Sequence, residues 1–543
     1  MSVRVRPEDV VTRPGARSRF EADGAWNDET LPGLVARHAA TSDRVAVVDS
    51  GGRRSITYGE LDRTSNRVAN ALLCWGVEPG DVVSVQLPNW YETVAIDLGI
   101  LKAGAILNPL LPIYRASELR HVLEVVSVPV FFVPGVYRGF DHGQLAAELR
   151  DELPELRRVL RVAGPDGGDD DFRELLEGFS DEAPSLKRDA AAPSELIFTS
   201  GTEATPKAVL HSEQTTGFSA RAAAAALGMN GEDVVWMPSP IGHSTGFNYG
   251  VRIALHHGLT LVLQDRWDGA EAADLVERFH CSYCVAATTF LSDLVATSRA
   301  GNRDLSSLRL FGCGGAPIPA EVVEAAEESG LAVLRLYGST EVLVATWNRP
   351  QSPVEKRRSS DGCPLPGVEV EIRDDDGNAV IGAPGEIVVR GPNTCLGFFD
   401  DAERTGRTFE ADGWVRSGDL GVIDEDGYLS VIGRKKEIII RGGLNIAPSE
   451  VESVIRRHPQ IADVAVIGIA DRRLGERTCA CVVTAPSNEM ALEQLVEFLK
   501  VEGMATFKLP QLLVAVAELP KTPTGKVQKH LLVEMVERRP EPS

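Results

Sequence analysis

The sequence predicts an α/β protein with a large N-terminal domain of two α/β subdomains plus a small β-barrel-like region, and a small α+β C-terminal domain. Three observations carry that expectation. At 543 residues the chain is too long for one ordinary hydrophobic core. Short apolar runs alternate with helical patterns as far as about Arg335. Beyond Gly433 the pattern restarts, after a stretch of short strands broken by Gly, Pro and Asp turns.

Taken in order, residues 1–25 read as a flexible leader. Arg4, Arg6, Arg13, Arg17 and Arg19 are not followed by an apolar segment, and Glu8, Asp9, Glu21 and Asp23 argue against a transit peptide. Val45–Val48 is a strand-like run. Thr57-Tyr58-Gly59-Glu60 forms a capping box that opens a helix through about Leu73. A turn at Gly76–Asp81 precedes a strand over Val82–Leu87, a helix near Glu92–Lys102, and a strand from Ala105. This rhythm implies parallel sheet covered by helices. A second α/β stretch spans about Leu196–Arg335. Gly164–Asp171 is a solvated loop. Val368–Ile372 and Glu386–Val389 suit a small antiparallel sheet or barrel. Helices at Ser449–Arg457 and Leu492–Lys500 then flank strands at Val464–Ile469 and Cys479–Val483, enough for a separate small core.

Composition excludes some functions. Hydrophobic residues are 43% and charged residues 25%, an ordinary globular mixture. The formal net charge of −22 disfavours nonspecific binding to nucleic acid or an anionic membrane, but not a local phosphate site. No stretch approaches the ~18 apolar residues of a membrane span. Eight scattered cysteines suit a reducing compartment, and we expect the cytoplasm. Cys281 and Cys284 have metal-type spacing but no second pair, and read as core thiols.

The strongest local signal is Phe198-Thr199-Ser200-Gly201-Thr202-Glu203-Ala204-Thr205-Pro206-Lys207. An apolar strand runs into a loop of hydroxyls and backbone donors that ends in a lysine, a combination suited to phosphate oxygens. It is not a Walker A loop, because Gly-x4-Gly-Lys-[Ser/Thr] is absent from the chain.

This segment resembles the phosphate loop of the superfamily of acyl-CoA synthetases, nonribosomal-peptide adenylation domains and luciferases. Four further motifs of that superfamily follow in order: Tyr337-Gly338-Ser339-Thr340-Glu341, Ser417-Gly418-Asp419, Gly433-Arg434-Lys435-Lys436 and Pro523-Thr524-Gly525-Lys526. The resemblance runs from about residue 30 to 535. It implies residues 26–433 as an AMP-binding domain, 434–436 as a hinge, and 437–543 as a mobile C-terminal domain.

The resemblance implies ATP-dependent activation of a carboxylic acid as acyl-adenylate with release of pyrophosphate, then transfer to coenzyme A. The alternative is a stand-alone adenylating enzyme that loads a carrier protein or a non-thiol acceptor. Either first step brings two anions together, so charge stabilisation is the main task. By resemblance, Thr199, Ser200, Gly201, Thr202 and Lys207 hold phosphates, Thr340 contacts the α-phosphate, and Glu341 ligates Mg²⁺. Tyr337 and Gly338 face adenine, with Gly315, Ala316 and Pro317 opposite, while Asp419 and Arg434 take the ribose. Lys526 is the catalytic lysine of adenylation, and Thr202, His243 and Glu341 complete the catalytic set.

His243-Ser244-Thr245-Gly246-Phe247 matches the superfamily's histidine motif beside the acid site. Phe247, Asn248, Gly312, Cys313 and Gly314 are candidate pocket residues. No acid occurs in Ile241–Gly250, which argues against an amino-acid substrate. Fatty, alicyclic and aromatic acids stay open. Lys436 is the expected hinge residue, and Arg441, Gly442 and Gly443 are expected to admit the pantetheine arm of coenzyme A, the glycines by permitting close approach. Glu203 and Ala204 depart from the common Thr and Gly of the loop, and Ala208 stands where Gly is common. A homodimer is also compatible with the sequence.

Overall fold

The computed structural model describes Val5, Val10 and residues 16–538, apart from Arg53, 164–169, 200–206, Asn302, 315–317, Pro319, 442–443, Arg472, 485–489 and 523–525. The described residues fall into two compact units. The first comprises Met1–Gly314, Ala320–Val370 and Val389–Val415; the second includes Glu371–Val388 and Arg416–Ser543.

Among the described residues the first unit contains two sheets. A nine-stranded sheet runs in the order Cys363–Pro364, Leu343–Trp347, Val333–Ser339, Leu310–Gly314, Tyr283–Ala286, Val234–Met237, Thr260–Leu263, Val45–Val48, Ser55–Thr57. A seven-stranded sheet runs Gly397–Phe398, Lys207–Ser212, Pro193–Thr199, Ile106–Pro109, Val82–Val85, Val130–Pro134, Arg158–Val162. Parallel pairing dominates both interiors, as the alternating pattern implies. The helix Tyr58–Cys74 starts at the expected capping box, with the Thr57 hydroxyl accepting from the Glu60 amide and the Glu60 carboxylate accepting from the Thr57 amide.

One pairing departs from the simple rhythm. Val45–Val48 does not join Val82–Val85; it pairs parallel to Thr260–Leu263 in the other sheet. Both runs are short and apolar, so neither carries a mark of its partner. The leader also differs from expectation in its described part. A helix occupies Ala16–Ala22, and Phe20 is buried edge-on against Trp26. One aromatic among arginines and acids was too little signal for a helix.

The second unit opens with a five-stranded sheet in the order Ala379–Val380, Glu369–Arg373, Gly385–Arg390, Val415–Ile423, Leu429–Arg434. It is antiparallel where its register is given, and its strand order is that of an open sheet rather than a closed barrel. Its second sheet centres on the long hairpin Ile461–Asp471 and Gly475–Thr484. Alternate residues of that hairpin face opposite ways. Val464, Val466, Ala480 and Val482 pack with Val451, Ile455, Leu495 and Leu499 of two helices, while Ala465, Ile467, Cys479 and Cys481 pack with Leu532 of the last helix. The expected separate core is therefore present on both faces of one sheet.

Candidate active site

The phosphate-loop motif is carried by an antiparallel hairpin. Pro193–Thr199 pairs with Lys207–Ser212, and Thr199 lies directly opposite Lys207. Ser200, Gly201 and Thr202, with Glu203 and Ala204, lie outside the described residues. Opposed residues share a face in such a pair. The face bearing Thr199 and Lys207 at the loop end therefore bears Glu195 and His211 at the base. Lys207 Nζ stands 3.7 Å from Glu341 Oε1, an ion pair too long for a hydrogen bond.

Thr340, Glu341 and Val342 form the tight turn between Val333–Ser339 and Leu343–Trp347. Leu343 closes it at φ +51°, a conformation uncommon outside glycine. Each carbonyl of the turn is held from outside. His211 Nε2 lies 2.7 Å from Thr340 O, the Cys395 amide donates to Glu341 O at 2.7 Å, and Asn393 Nδ2 donates to Val342 O. Gly338 must be glycine, because a Cβ there would lie 2.1 Å from the Leu343 carbonyl oxygen. Tyr337 beside it is buried.

The histidine motif begins a short helix, Ser244–Gly246, that continues as a π-helix over Phe247–Val251. Such wide turns are rare and often mark functional sites. His243 caps the first helix, its Nδ1 accepting from the Thr245 amide at 3.2 Å. Nδ1 is thus unprotonated and Nε2 carries the proton. Burial pushes the imidazole down to about 4, so at neutral pH it is an uncharged donor. Phe247 is buried. Asn248 is also buried, and its amide donates to Glu195 Oε2 at 3.0 Å and Ser244 Oγ at 3.3 Å, while its Oδ1 accepts from Arg252 Nε at 3.1 Å. The Asn248 side chain is therefore engaged by neighbouring protein groups.

Arg252 is fully buried and pairs with both Glu195 and Glu213. This cluster ties the π-helix to the base of the phosphate-loop hairpin. Of the other pocket candidates, Gly312 abuts Trp347 and Val285, and Gly314 abuts Leu336, so neither has space for a Cβ. Cys313 is wholly buried beside Thr288, with burial pushing its thiol up to about 11. Cys281 and Cys284 are likewise buried thiols, and the described residues contain no cluster suited to a metal ion. Gly315, Ala316 and Pro317 lie outside the described residues.

In the second unit, Asp419 and Arg434 sit opposite each other on paired strands, with Arg434 Nε 3.2 Å from Asp419 Oδ1. Gly418 reaches φ +72°, and Ser417 Oγ accepts from the Asp419 amide at 3.0 Å. Thr522 and Lys526 are tied to each other: the Thr522 amide donates to Lys526 O at 2.6 Å and the Lys526 amide donates to Thr522 Oγ1 at 3.1 Å. Its ammonium is held below the ordinary lysine value by burial first, then by the positive charge of Arg434, against the pull of Glu437 and Asp419. The second unit thus brings three predicted residues, Asp419, Arg434 and Lys526, within electrostatic reach of one another. Lys436 lies in the single turn Lys435–Glu437, and Arg441 Nη1 donates to the Phe507 carbonyl at 2.7 Å. Gly442, Gly443 and Pro523-Thr524-Gly525 lie outside the described residues.

Sequence reasoning passed over His211, Asn393, Glu195 and Arg252. The first and third carried a usable signal, being ionisable residues in otherwise largely apolar strands, on the face that ends at Thr199 and Lys207.

Comparison with known proteins agrees with this arrangement. The AMP-binding enzyme family matches residues 35–399, and the AMP-binding enzyme C-terminal domain matches residues 450–526. The chain is 37% identical over 528 residues to a medium-chain fatty-acid–CoA ligase of Escherichia coli, covering 96% of this chain and 93% of that one. It is 34% identical over 528 residues to a salicyl-AMP ligase / salicyl-S-ArCP synthetase of Mycobacterium tuberculosis, covering 95% and 92%. ATP-bound MatB from Rhodopseudomonas palustris superposes with a TM-score of 0.85 at 28% identity, over 94% of this chain and 99% of that one. The chain belongs to the AMP-binding enzyme family, as an AMP-forming ligase of the acyl-CoA synthetase type.

Proposed function

We propose that this enzyme joins a carboxylic acid, with medium-chain fatty acids the first candidates, to coenzyme A in two steps. A carboxylate oxygen attacks the α-phosphorus of ATP, the bond to pyrophosphate breaks, and an acyl-adenylate forms. The thiol of coenzyme A then attacks the acyl carbon, loses its proton, and AMP leaves. The observation that carries the first step is the grouping of Lys526 with the Asp419–Arg434 pair. Asp419 accepts from ribose hydroxyls, and Lys526 offsets charge where carboxylate and α-phosphate meet. Lys207 with Thr199, Ser200, Gly201 and Thr202 holds the outer phosphates, and Tyr337, Gly338, Gly315, Ala316 and Pro317 enclose adenine.

Glu341 suits a hard cation such as Mg²⁺. Its carboxylate has no hydrogen-bond partner among the described residues, and its nearest counter-charge, Lys207, is 3.7 Å away. A bound Mg²⁺ would neutralise charge on the phosphate oxygens. Neutral His243 donates from Nε2 to the substrate carboxylate, beside Phe247 and the Gly312-Cys313-Gly314 strand. Arg441, Gly442 and Gly443 receive the pantetheine arm, and the reaction takes place in the cytoplasm.

Support for an aliphatic acid comes from the E. coli ligase at 37% identity, while the absence of Asp and Glu in Ile241–Gly250 argues against an amino acid. The test is pyrophosphate release over a panel of fatty, alicyclic and aromatic acids, followed by thioester assay with free coenzyme A and with an aryl carrier protein. Turnover of medium-chain acids to free thioester supports the reading. Adenylation that proceeds to thioester only on the carrier protein replaces it with the alternative.

A further inference from the structure

The Thr340–Glu341–Val342 turn carries two residues that the proposed function places against phosphate and cation. Leu343 holds a strained torsion at its end, φ +51°. Such torsions persist only where the surroundings over-determine them. Here the surroundings are three hydrogen bonds to three successive carbonyls, from His211, the Cys395 amide and Asn393. A fourth contact fixes the outgoing strand, where the Tyr249 hydroxyl accepts from the Val344 amide at 2.6 Å.

His211 differs from the other holds in where it comes from. It lies on the strand Lys207–Ser212, on the same face as Lys207 and two alternations further along. It is completely buried. Thr340 O can only accept, so Nε2 carries the ring proton; Nδ1 lies 3.0 Å from the Thr215 hydroxyl at the start of the next helix. The ring therefore bridges the strand that bears the phosphate lysine and the turn that bears Glu341.

We infer that His211 is a positioning residue for adenylation: through its Nε2 bond to the Thr340 carbonyl it sets the Thr340–Glu341 turn in register with Lys207. The inference deepens the proposed function, because it takes Thr340 and Glu341 as the residues that meet phosphate and cation. His211 itself touches no substrate. Its effect should be largest in the step in which ATP reacts, which uses both the Glu341 cation and the Thr340 contact to the α-phosphate, whereas the acyl-adenylate of the second step keeps only the latter.

Two substitutions isolate this bond. A glutamine amide can take the place of Nε2 and donate to Thr340 O, whereas an asparagine amide takes the place of Nδ1 and falls short. Both are polar and smaller than histidine, and thermal midpoints monitor folding of each. With an acid that the wild type accepts, His211→Asn should lower the rate of pyrophosphate release about 100-fold, as for a small misplacement of reacting groups, and raise the Mg²⁺ concentration for half-maximal rate about tenfold. His211→Gln should recover most of both. Thioester formation from presynthesised acyl-adenylate should fall much less than pyrophosphate release in His211→Asn, by about tenfold at most, because only the Thr340 contact is shared by that step. Equal behaviour of the two variants, or equal loss in both half-reactions, would overturn the inference. Glu341→Gln serves as the separate control: an unchanged Mg²⁺ requirement there would sink the assignment of the turn itself, whatever His211 does.

Discussion

Lys526 owes its chemistry to company more than to type. Its ammonium loses solvation and faces the Arg434 guanidinium, both of which favour proton loss. Adenylation should therefore fall on an alkaline limb lying below the ordinary lysine value of 10.5, and Lys526→Arg should move that limb upward in a pH profile of pyrophosphate release. Lys526→Ala should reduce adenylation by about 10²–10³, the scale for loss of one charge-stabilising group, while largely sparing thioester formation from the adenylate. Single-turnover assays of the two half-reactions check this. His243 makes the opposite kind of prediction. Its imidazole titrates at about 4 instead of 6.5 because it is buried, so it should contribute no limb to the activity profile near pH 6.5. The unfolded chain binds this proton below about 6.5 and the folded chain only below about 4. Its contribution to stability is thus present in full above the upper value and is lost as pH falls through that window. His243→Asn should narrow the difference between thermal midpoints measured at pH 4.5 and 7.5. Motif residues of this kind were legible in the sequence because their spacing is tied to the reaction. The partners that tune them, such as Arg434 near Lys526, lie ~90 residues away in sequence and emerge only from the tertiary fold.

At the scale of elements, the phosphate-loop hairpin is fastened at its base by Glu195 and His211. Arg252 gives up hydration to serve Glu195 and Glu213 together. Removing it leaves two buried carboxylates uncompensated. Arg252→Met should cost about 3–5 kcal/mol, the range for breaking a buried ion pair from one side, read as a drop in the denaturant midpoint. Glu195→Gln in the same background should recover part of that loss, since it removes one of the stranded charges. The hairpin's first strand was legible from its apolar run, and the helix Tyr58–Cys74 from its capping box, whereas the return strand Lys207–Ser212 was not read. The π-helix Phe247–Val251 was not, because one extra residue per turn leaves no periodic mark in so short a segment. Asn248, a pocket candidate by its place in the motif, has its side-chain amide committed to Glu195, Ser244 and Arg252.

For the whole molecule, the restart of pattern after Gly433 correctly announced a second core, but strand partnership across long separations was not readable. The expected hinge at Lys436 becomes a prediction about catalysis. Proline fixes φ near −65°, so Lys436→Pro removes a torsional freedom at that point. If the second step needs that freedom, the variant should retain pyrophosphate release and lose thioester formation by tenfold or more, in stopped assays with free coenzyme A. Equal retention of both steps would locate the hinge elsewhere.

The pairing of Val45–Val48 with Thr260–Leu263 also has a consequence for biogenesis. The strand is made early, but its parallel neighbour is made roughly 200 residues later, a wait of about 10–40 s at ordinary translation speeds. Throughout that interval Val45–Val48 can pair only with the short antiparallel neighbour Ser55–Thr57, and its other edge has no strand to join. Nascent chains halted short of Thr260 should accordingly leave this sheet edge protease-sensitive and chaperone-bound, and Val45–Val48 should gain protection only in chains long enough to expose Leu263.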